Sequence, residues 1–200
     1  MSTVSVFAGE DALPAPNDPL VSTDDFSEWF SIDAPTASEL ARMQTAIEIA
    51  SAECRSETQQ QLTVISETIT IHPRPNTCEI ILPQWPVTAV DSIIINGTQL
   101  TADTDYFWER TGIIRFLTYQ PLTPRYPLTV RYTHGWDPLP RDLAGVCLSL
   151  SKRLYDSPDA QHVEKEALGD WSVTYTSKTD GLTTGEVETL KRYASWTNGY

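Results

Sequence analysis

The sequence predicts an α+β fold in which a small helical bundle carries a β-hairpin-rich insertion. Three observations predict this class. Apolar residues recur at helical spacing before residue 60 and again after residue 140. Between residues 62 and 136 the pattern changes to alternation, and an Asn-Gly pair inside that stretch indicates a tight hairpin turn. The expected bundle has a short N-terminal helix, a long helix, a second helix after the insertion and a C-terminal helix.

The first twenty residues are predicted to form an extended arm. Pro14, Pro16 and Pro19 interrupt any regular element there, and the apolar residues between them are scattered. A short helix should follow. Its N-cap and first-turn acids are supplied by residues 22–25, and an aromatic stripe by Phe26, Trp29 and Phe30.

A long amphipathic helix is predicted from about residue 37 to residue 59. Thr36 and Glu39 have the spacing of a capping box, in which each side chain satisfies the other residue's backbone N–H. The apolar face repeats at the helical period. It consists of Leu40, Met43, Ile47, Ala50 and Cys54.

The insertion, residues 61–136, is predicted to contain hairpins and short strands. Alternation and β-branched residues indicate strands at residues 63–71, 79–82, 92–95, 106–108, 113–116 and 128–132. Asn96-Gly97 is the predicted tight turn, since both central residues of a type I′ turn need positive φ, and Thr111-Gly112 marks a second hairpin. The three prolines between residues 121 and 127 place that stretch in a loop.

Beyond the insertion the pattern returns to helices. Pro140 is suited to the first position of the second helix, which should run to about Tyr155. Residues 156–165 read as a polar loop and residues 171–175 as a strand. Thr183 and Glu186 repeat the capping box and begin a helix expected to reach the C-terminus. We therefore expect one domain over residues 21–200, with residues 183–200 as its C-terminal helix and tail.

The net charge of −13 limits the classes of partner. No Lys or Arg precedes Arg42, and a protein that grips nucleic acid from outside needs cations to displace phosphate counterions. An acidic wall past which DNA moves without adhesion is compatible with this charge. The three cysteines lack metal-ligand spacing and indicate a reducing compartment. No segment suggests a secretory signal or a membrane span.

A search for catalytic chemistry gives no convincing motif. The three histidines share no metal-ligand spacing, glycines form no phosphate-binding loop, and Asp103 with Asp105 lacks the rest of a calcium loop. We expect no cofactor and no metal. His134 acting as a base with Asp137 is the enzyme alternative, and a turn role for His134 is favoured over it.

Interaction surfaces are the remaining candidates. Tyr193, Trp196 and Tyr200 place three aromatic residues at the end of the chain, and aromatic side chains are preferred interface anchors. They can dock either on their own domain or on a partner. An alternative of another class is a carbohydrate- or receptor-binding β module that uses Trp85, Trp108 or Trp136.

In their order and spacing, several segments resemble head-to-tail connector proteins, or adaptors, of long-tailed bacteriophages. The resemblance covers about Val21 to Tyr193. It rests on residues 83–87 (PQWPV), the Asn96-Gly97 hairpin, residues 105–107 (DYF), 111–115 (TGIIR), 130–140 (VRYTHGWDPLP) and 167–175 (ALGDWSVTY).

This resemblance implies a non-enzymatic virion protein. Adaptors of this kind form a ring, usually of twelve copies, under the portal of a DNA-filled head, and so extend the DNA channel. They join the head to a stopper or tail-completion protein and are assembled in the host bacterial cytoplasm. Similar adaptors bind the portal with their C-terminal segment. The expected portal contacts are therefore Val187, Leu190, Tyr193, Trp196 and Tyr200. A stopper is the closest rival among neck proteins.

Overall fold

The computed structural model describes residues 18–75, 77–117, 125–156, 166–168, 171–173 and 181–195. The predicted arm before residue 18, the loop at residues 118–124, the polar loop after Asp156 and the last five residues lie outside the described residues. Four helices and nine strands are described. In chain order they are α1 Thr23–Phe30, α2 Ala37–Thr58, β1 Ile65–Ile71, β2 Glu79–Ile81, β3 Val87–Ile95, β4 Thr98–Gln99, β5 Tyr106–Trp108, β6 Ile113–Phe116, β7 Leu128–His134, α3 Arg141–Asp156, β8 Glu166–Leu168, β9 Trp171–Val173 and α4 Thr184–Lys191.

The elements belong to two compact units. The helical unit consists of the described parts of residues 18–58 and 139–194, and the β unit consists of residues 59–138 with Ser195. The predicted α+β class, with helices and antiparallel sheets, is confirmed.

Residues close in the sequence determine where helix α1 begins and ends. The Asp25 N–H donates to Ser22 Oγ at 3.0 Å, and the Ser22 N–H donates to the Asp25 carboxylate at 2.9 Å. Ser31, with φ of 53°, terminates the helix in the left-handed conformation. The predicted aromatic stripe divides: Phe26 is buried, whereas Trp29 is 64% exposed.

Helix α2 is the central helix of the helical unit and packs against α1, α3 and α4. The Thr36 N–H donates to Glu39 at 2.7 Å, as the predicted capping box requires. Four of the five residues on the predicted apolar face are buried, but Leu40 is 39% exposed because it lies one turn from the N-terminus.

Two predicted helix limits require correction. Pro140 lies one residue before α3, and its carbonyl accepts the Ala144 N–H at 3.0 Å. Helix α4 was expected to reach the C-terminus, but it ends at Lys191 because the chain turns at Arg192 and Tyr193. Its predicted start is correct, with Thr183 as N-cap and Glu186 completing the capping box.

The β unit is built from two antiparallel sheets around a common core. The four-stranded sheet has the order β1-β7-β3-β4 and the three-stranded sheet the order β2-β6-β5. Strand β7 pairs with β1 over seven residues in unbroken register, from Ile65 opposite His134 to Ile71 opposite Leu128. Both sheets contribute to the core, which contains Ile69, Ile80, Leu82, Val87, Ile93, Tyr106, Ile114, Leu128, Val130 and Tyr132.

Strand β3 is longer than the predicted strand at residues 92–95. It begins at Val87, and its register with β7 shifts at two places, between Val87 and Ala89 and between Val90 and Ser92. Each β-bulge inserts one residue and breaks the alternation of inward and outward side chains. The first half of β3 therefore lacks the period on which strand prediction depends. The predicted Asn96-Gly97 turn has both φ angles positive, 48° and 78°.

A third, two-stranded sheet pairs β8 with β9 in the helical unit. The predicted strand at residues 171–175 corresponds to β9 as far as Val173, and its last two residues lie outside the described part. Strand β8 was not predicted, because residues 166–168 follow a polar stretch without a turn signal.

Gly135 permits a close approach of the chain at the end of β7. Its φ is 110°, and a Cβ built on it would lie 2.1 Å from the Thr63 carbonyl oxygen. The adjacent backbone is fixed on both sides, because the Gly135 N–H donates to Pro86 O at 2.9 Å and the Trp136 N–H to Leu62 O at 3.0 Å. The end of β7 is thus held between the segments that precede β1 and β3.

Replacing Gly135 by Ala is expected to destabilise the protein by more than about 2 kcal/mol, since both the φ angle and the Thr63 carbonyl oppose a side chain. Gly145→Ala is the matched control, because a Cβ at that helical position meets nothing within 4 Å. Denaturant unfolding measures both variants. Equal midpoints for the two would contradict this account of Gly135.

Candidate functional site

A buried polar cluster lies at one end of the four-stranded sheet. It consists of Glu67 on β1 and Tyr132 and His134 on β7, all on the face that carries the core residues. The Tyr132 hydroxyl donates to the Glu67 carboxylate. His134 Nε2 lies 3.4 Å from Glu67 Oε1, and the imidazole and the Tyr132 ring have centroids 5.1 Å apart.

The protonation of this cluster is set by burial and by its mutual contacts. Burial alone would raise the pKa of the Glu67 carboxyl, but the contacts from His134 and Tyr132 outweigh it and hold that pKa below its ordinary value. Burial and the neighbouring Glu67 carboxylate raise the pKa of Tyr132. The cluster therefore keeps a carboxylate and a phenol in a single stable state at neutral pH.

The enzyme alternative finds no support in this geometry. His134 was paired with Asp137 in that reading, but the carboxylate beside it is that of Glu67, and Asp137 is exposed. The His134 side chain is only 1% accessible, so a substrate has no access to its imidazole. Glu67 was not identified from the sequence as the partner of His134, although it interrupts an apolar strand face. The pairing register of β1 with β7 brings the two residues together, and this register cannot be predicted from local sequence.

The aromatic side chains of the carbohydrate-binding alternative are packed within the β unit. Trp85 and Trp136 meet edge to face with ring centroids 5.8 Å apart, and the Arg110 guanidinium lies 5.9 Å from the Trp136 ring. Trp108 packs against the core. All three are half-buried, so they do not form the open aromatic platform that this alternative needs.

The outer face of the three-stranded sheet is a candidate interface. Arg115 lies at its centre, 3.4 Å from Glu79 and 3.5 Å from Glu109, with its guanidinium 5.8 Å from the Phe107 ring. Ile81 and Leu117 beside it are 45% and 51% exposed. A solvent-facing sheet surface is usually polar, so these side chains indicate a surface for contact.

The helical unit exposes apolar side chains on α1 and α2. Trp29 is 64% exposed and Ile49 52%. Asp24, Asp25 and Glu28 are exposed on the same helix as Trp29. An aromatic residue with acidic neighbours is suited to a partner surface that is apolar at its centre and cationic at its rim.

The predicted portal-contact residues differ in accessibility. Leu190 is fully buried within the helical unit, and Val187 is half-buried. Tyr193 donates its hydroxyl to Asp142 at 2.7 Å, and burial together with this hydrogen bond raises the pKa of Tyr193 to about 12. Trp196 and Tyr200 lie outside the described residues.

A partly buried ion pair anchors α4 to α3. Arg153 donates to both oxygens of Glu186, at 2.9 and 2.7 Å, and to the Gly181 carbonyl at 3.1 Å. Burial raises the pKa of Glu186, but the Arg153 hydrogen bonds and the backbone contact from Thr183 outweigh this and lower it. The Arg192–Asp142 ion pair at 3.2 Å reinforces the same contact.

Within the described residues, no group of three or more His, Cys, Asp or Glu side chains is arranged to hold a metal ion. None of the described helices is both long enough and apolar enough to cross a membrane.

Comparison with known proteins assigns the chain to a family. The family model for head completion proteins matches residues 19–186, which is most of the chain and includes both units. The chain belongs to the head completion protein family. No curated protein matches it significantly.

Solved structures with the same fold come from gene transfer agent particles. A chain from the neck of the empty particle, computed with C6 symmetry, aligns with a TM-score of 0.59 and 16% identity, over 94% of this chain and 95% of its own. A chain from the neck of the native particle, computed with C12 symmetry, gives a TM-score of 0.54 and 18% identity, over 94% of each chain. A chain from the virion of the native particle gives 0.53 and 15%, over 92% and 93%.

Family membership confirms the resemblance to head-to-tail connector proteins that the sequence showed, and makes this head completion protein a structural protein of a virion. The buried polar cluster then belongs to the stability of its β unit. The accessible apolar and acidic surfaces are the remaining candidates for contact with partners.

Glu67→Gln is expected to destabilise the head completion protein by about 1–3 kcal/mol at pH 7, because it removes a half-buried, hydrogen-bonded carboxylate. The folded pKa of Glu67 lies below the unfolded value of 4.5. Its stabilisation is therefore complete above pH 4.5 and disappears as the pH falls through the folded pKa. Unfolding measured between pH 7 and 3 should show the difference from wild type shrinking.

Glu79→Gln is the control, because Glu79 is a carboxylate on a strand of the same unit whose side chain is 57% exposed. A Glu67→Gln effect no larger than that of the control, or one independent of pH, would show that the buried cluster does not stabilise the β unit.

Proposed function

We propose that this head completion protein is a head-to-tail adaptor whose copies form a ring under the portal. The observation that supports the proposal is the structural similarity to a chain from a neck computed with C12 symmetry, which extends over 94% of each of the two aligned chains. A likeness over the full length concerns the whole arrangement of helices and strands, and not a shared motif. The adaptor domain would be residues 21–200, with residues 61–136 as its β-rich insertion and residues 1–20 as its arm.

A ring requires two different surfaces that meet between successive copies. The chain has accessible apolar residues in both units, as such a heterologous interface requires. They are Trp29, Leu40 and Ile49 in the helical unit and Ile81, Leu117 and Tyr126 in the β unit. Twelve copies would correspond to the C12 symmetry of the similar neck.

The uneven charge suits a channel for DNA. Residues 1–58 contain eleven acidic residues against Arg42 and Arg55, which accounts for most of the net charge of −13. We infer that part of this acidic excess faces the lumen of the ring. Double-stranded DNA would then pass without adhesion, because acidic walls repel its phosphates.

One face of the ring would contact the portal and the other a stopper or tail-completion protein. For the portal we propose Val187 and Tyr193 together with Trp196 and Tyr200; Leu190 would act through the fold, since it is buried in the helical unit. Assembly would take place in the host bacterial cytoplasm.

A stopper role in the same neck is the second candidate, since family membership concerns head completion and does not fix the order of the neck proteins. The two roles differ in their neighbours. An adaptor contacts the portal directly, whereas a stopper is separated from it by another ring.

Electron microscopy of virions that carry this protein should find it as a closed ring between the portal and the tail, with more Asp and Glu than Lys and Arg along the lumen. A lumen lined mainly by Lys and Arg would contradict the proposed passage of DNA. A position that does not touch the portal would favour the stopper.

Truncation after Arg192 is expected to leave a folded protein that no longer attaches to portal-bearing heads, because it removes Tyr193, Trp196 and Tyr200. Circular dichroism checks the fold, and co-sedimentation with heads measures attachment. Thr98→Ala, which removes an exposed side chain on β4 outside the proposed contact surfaces, is the control. Normal attachment by the truncated protein would contradict the proposed portal contact.

A further inference from the structure

The two edges of the four-stranded sheet differ in how they are protected against pairing with another chain. At one edge, β4 pairs only with the last two residues of β3, and the remainder of β3 contains two bulges and the charged residue Asp91. On the other side, β1 pairs with β7 over seven residues with no bulge. Bulges and charges are the usual means by which proteins prevent an edge strand from pairing with another chain.

Strand β1 has few of these protections. Its sequence, ISETITI, contains no Lys, Arg or Pro, and its one charge is that of Glu67. An inward-facing charge can guard an edge, but this carboxylate is held by Tyr132 and lies beside His134 on the neighbouring strand. The edge of β1 is therefore regular and chemically able to accept a further strand.

Hydrogen bonds made by β3 show which backbone groups of β1 face outward. The Val87 N–H donates to Arg110 O, and Ile93 O accepts from the Leu100 N–H. The backbone groups of residues 87 and 93 of β3 therefore point away from β7. Their partners on β7, His134 and Val130, consequently direct their backbone groups toward β1.

Strand alternation then assigns the backbone groups of β1. Residues 65, 67, 69 and 71 bond to β7, while Ser66, Thr68 and Thr70 direct their N–H and C=O groups outward. Among the described residues these outward groups have no hydrogen-bond partner. Unpaired backbone groups along such a strand form a template for an extended peptide.

We propose that the edge of β1 is covered by the N-terminal arm of an adjacent copy, whose residues 2–8 add to the sheet as a fifth strand. Residues 2–8 read STVSVFA: they are uncharged, contain no Pro or Gly, and place Val4 and Val6 on one face of a strand. This inference rests on the proposed ring, which supplies every edge with a neighbouring arm.

The length of the intervening chain fits this exchange. The described chain begins at Asp18, whose carbonyl accepts a hydrogen bond from Arg55, and the Leu20 N–H donates to Ser51 Oγ at 3.0 Å. Nine residues, 9–17, connect this anchor to the proposed strand and span up to about 30 Å when extended. That is roughly twice the radius of gyration expected for 200 residues, about 16 Å, so an arm can reach a neighbouring copy.

A ring closed in this way leaves no copy with an open edge. Each copy gives one arm and receives one, which is the head-to-tail arrangement that a closed ring requires.

Disulfide trapping between two co-expressed variants tests the exchange in assembled particles. Both variants carry Cys78→Ser, because Cys78 is the exposed cysteine, whereas Cys54 and Cys147 are buried. One carries Thr68→Cys on β1. The other carries Thr3→Cys, Ser5→Cys or Phe7→Cys, so that more than one register is sampled. A covalent dimer containing one copy of each variant is expected after oxidation, since paired strands bring Cα atoms within about 4.4–6.8 Å.

Thr98→Cys on β4, at the opposite side of the sheet, replaces Thr68→Cys in the control and should give no dimer. Rings that assemble but give no dimer at any arm position would overturn the arm exchange and leave the proposed ring intact. Equal dimer formation by the control would also overturn it. Failure to find rings in wild-type particles would reject the proposed function and this inference together.

Thr68→Pro provides an independent measurement on the same edge. It removes one outward N–H donor, a change that edge strands tolerate. The fraction of heads that carry a ring is expected to fall about tenfold. Thr68→Val keeps the donor and the β-branched shape and should assemble normally. Equal assembly by both variants would contradict the proposal. Loss of folding by Thr68→Pro, seen in its melting temperature, would leave the decision to disulfide trapping.

Discussion

Pairing of β7 with both of its neighbours is the constraint on which the β unit depends. Leu128, Val130 and Tyr132 are fully buried on one face of this strand, so a shift of one residue would turn all of them toward solvent. Gly135 holds the end of the strand against Thr63, and no other residue type fits there without strain. The position of β7 between β1 and β3 also leaves β1 at the edge of the sheet, with its outward backbone groups open.

Features determined by local hydrogen bonds could be predicted from the sequence. The predicted N-cap at Ser22 and the predicted capping boxes at Thr36 and Thr183 involve residues close in the chain, and the starts of these three helices agree with the structure. Features that depend on distant residues could not. The bulges of β3 remove its period, and the contact of Glu67 with His134 joins residues 67 positions apart. Periodicity also placed Trp29 and Leu40 on buried faces, because it cannot show where the covering elements end.

The same distinction applies to function. Side chains that attract a catalytic interpretation, His134 and Glu67 above all, lie together inside the fold, with His134 fully buried and Glu67 half-buried. What this head completion protein leaves accessible is apolar surface, acidic surface and an open strand edge. Those are means of association and not of reaction, in accord with a structural protein of a virion. A ring would bury the apolar surface between copies or direct the acidic surface toward DNA.

The number of copies in one neck tests the central claim most directly. Native mass spectrometry of necks released from virions counts chains of 22.4 kDa per portal. The account predicts a closed ring of twelve, in keeping with the C12 symmetry used to compute the neck that contains a similar chain. A single copy per neck, or necks from which this chain is missing, would contradict it.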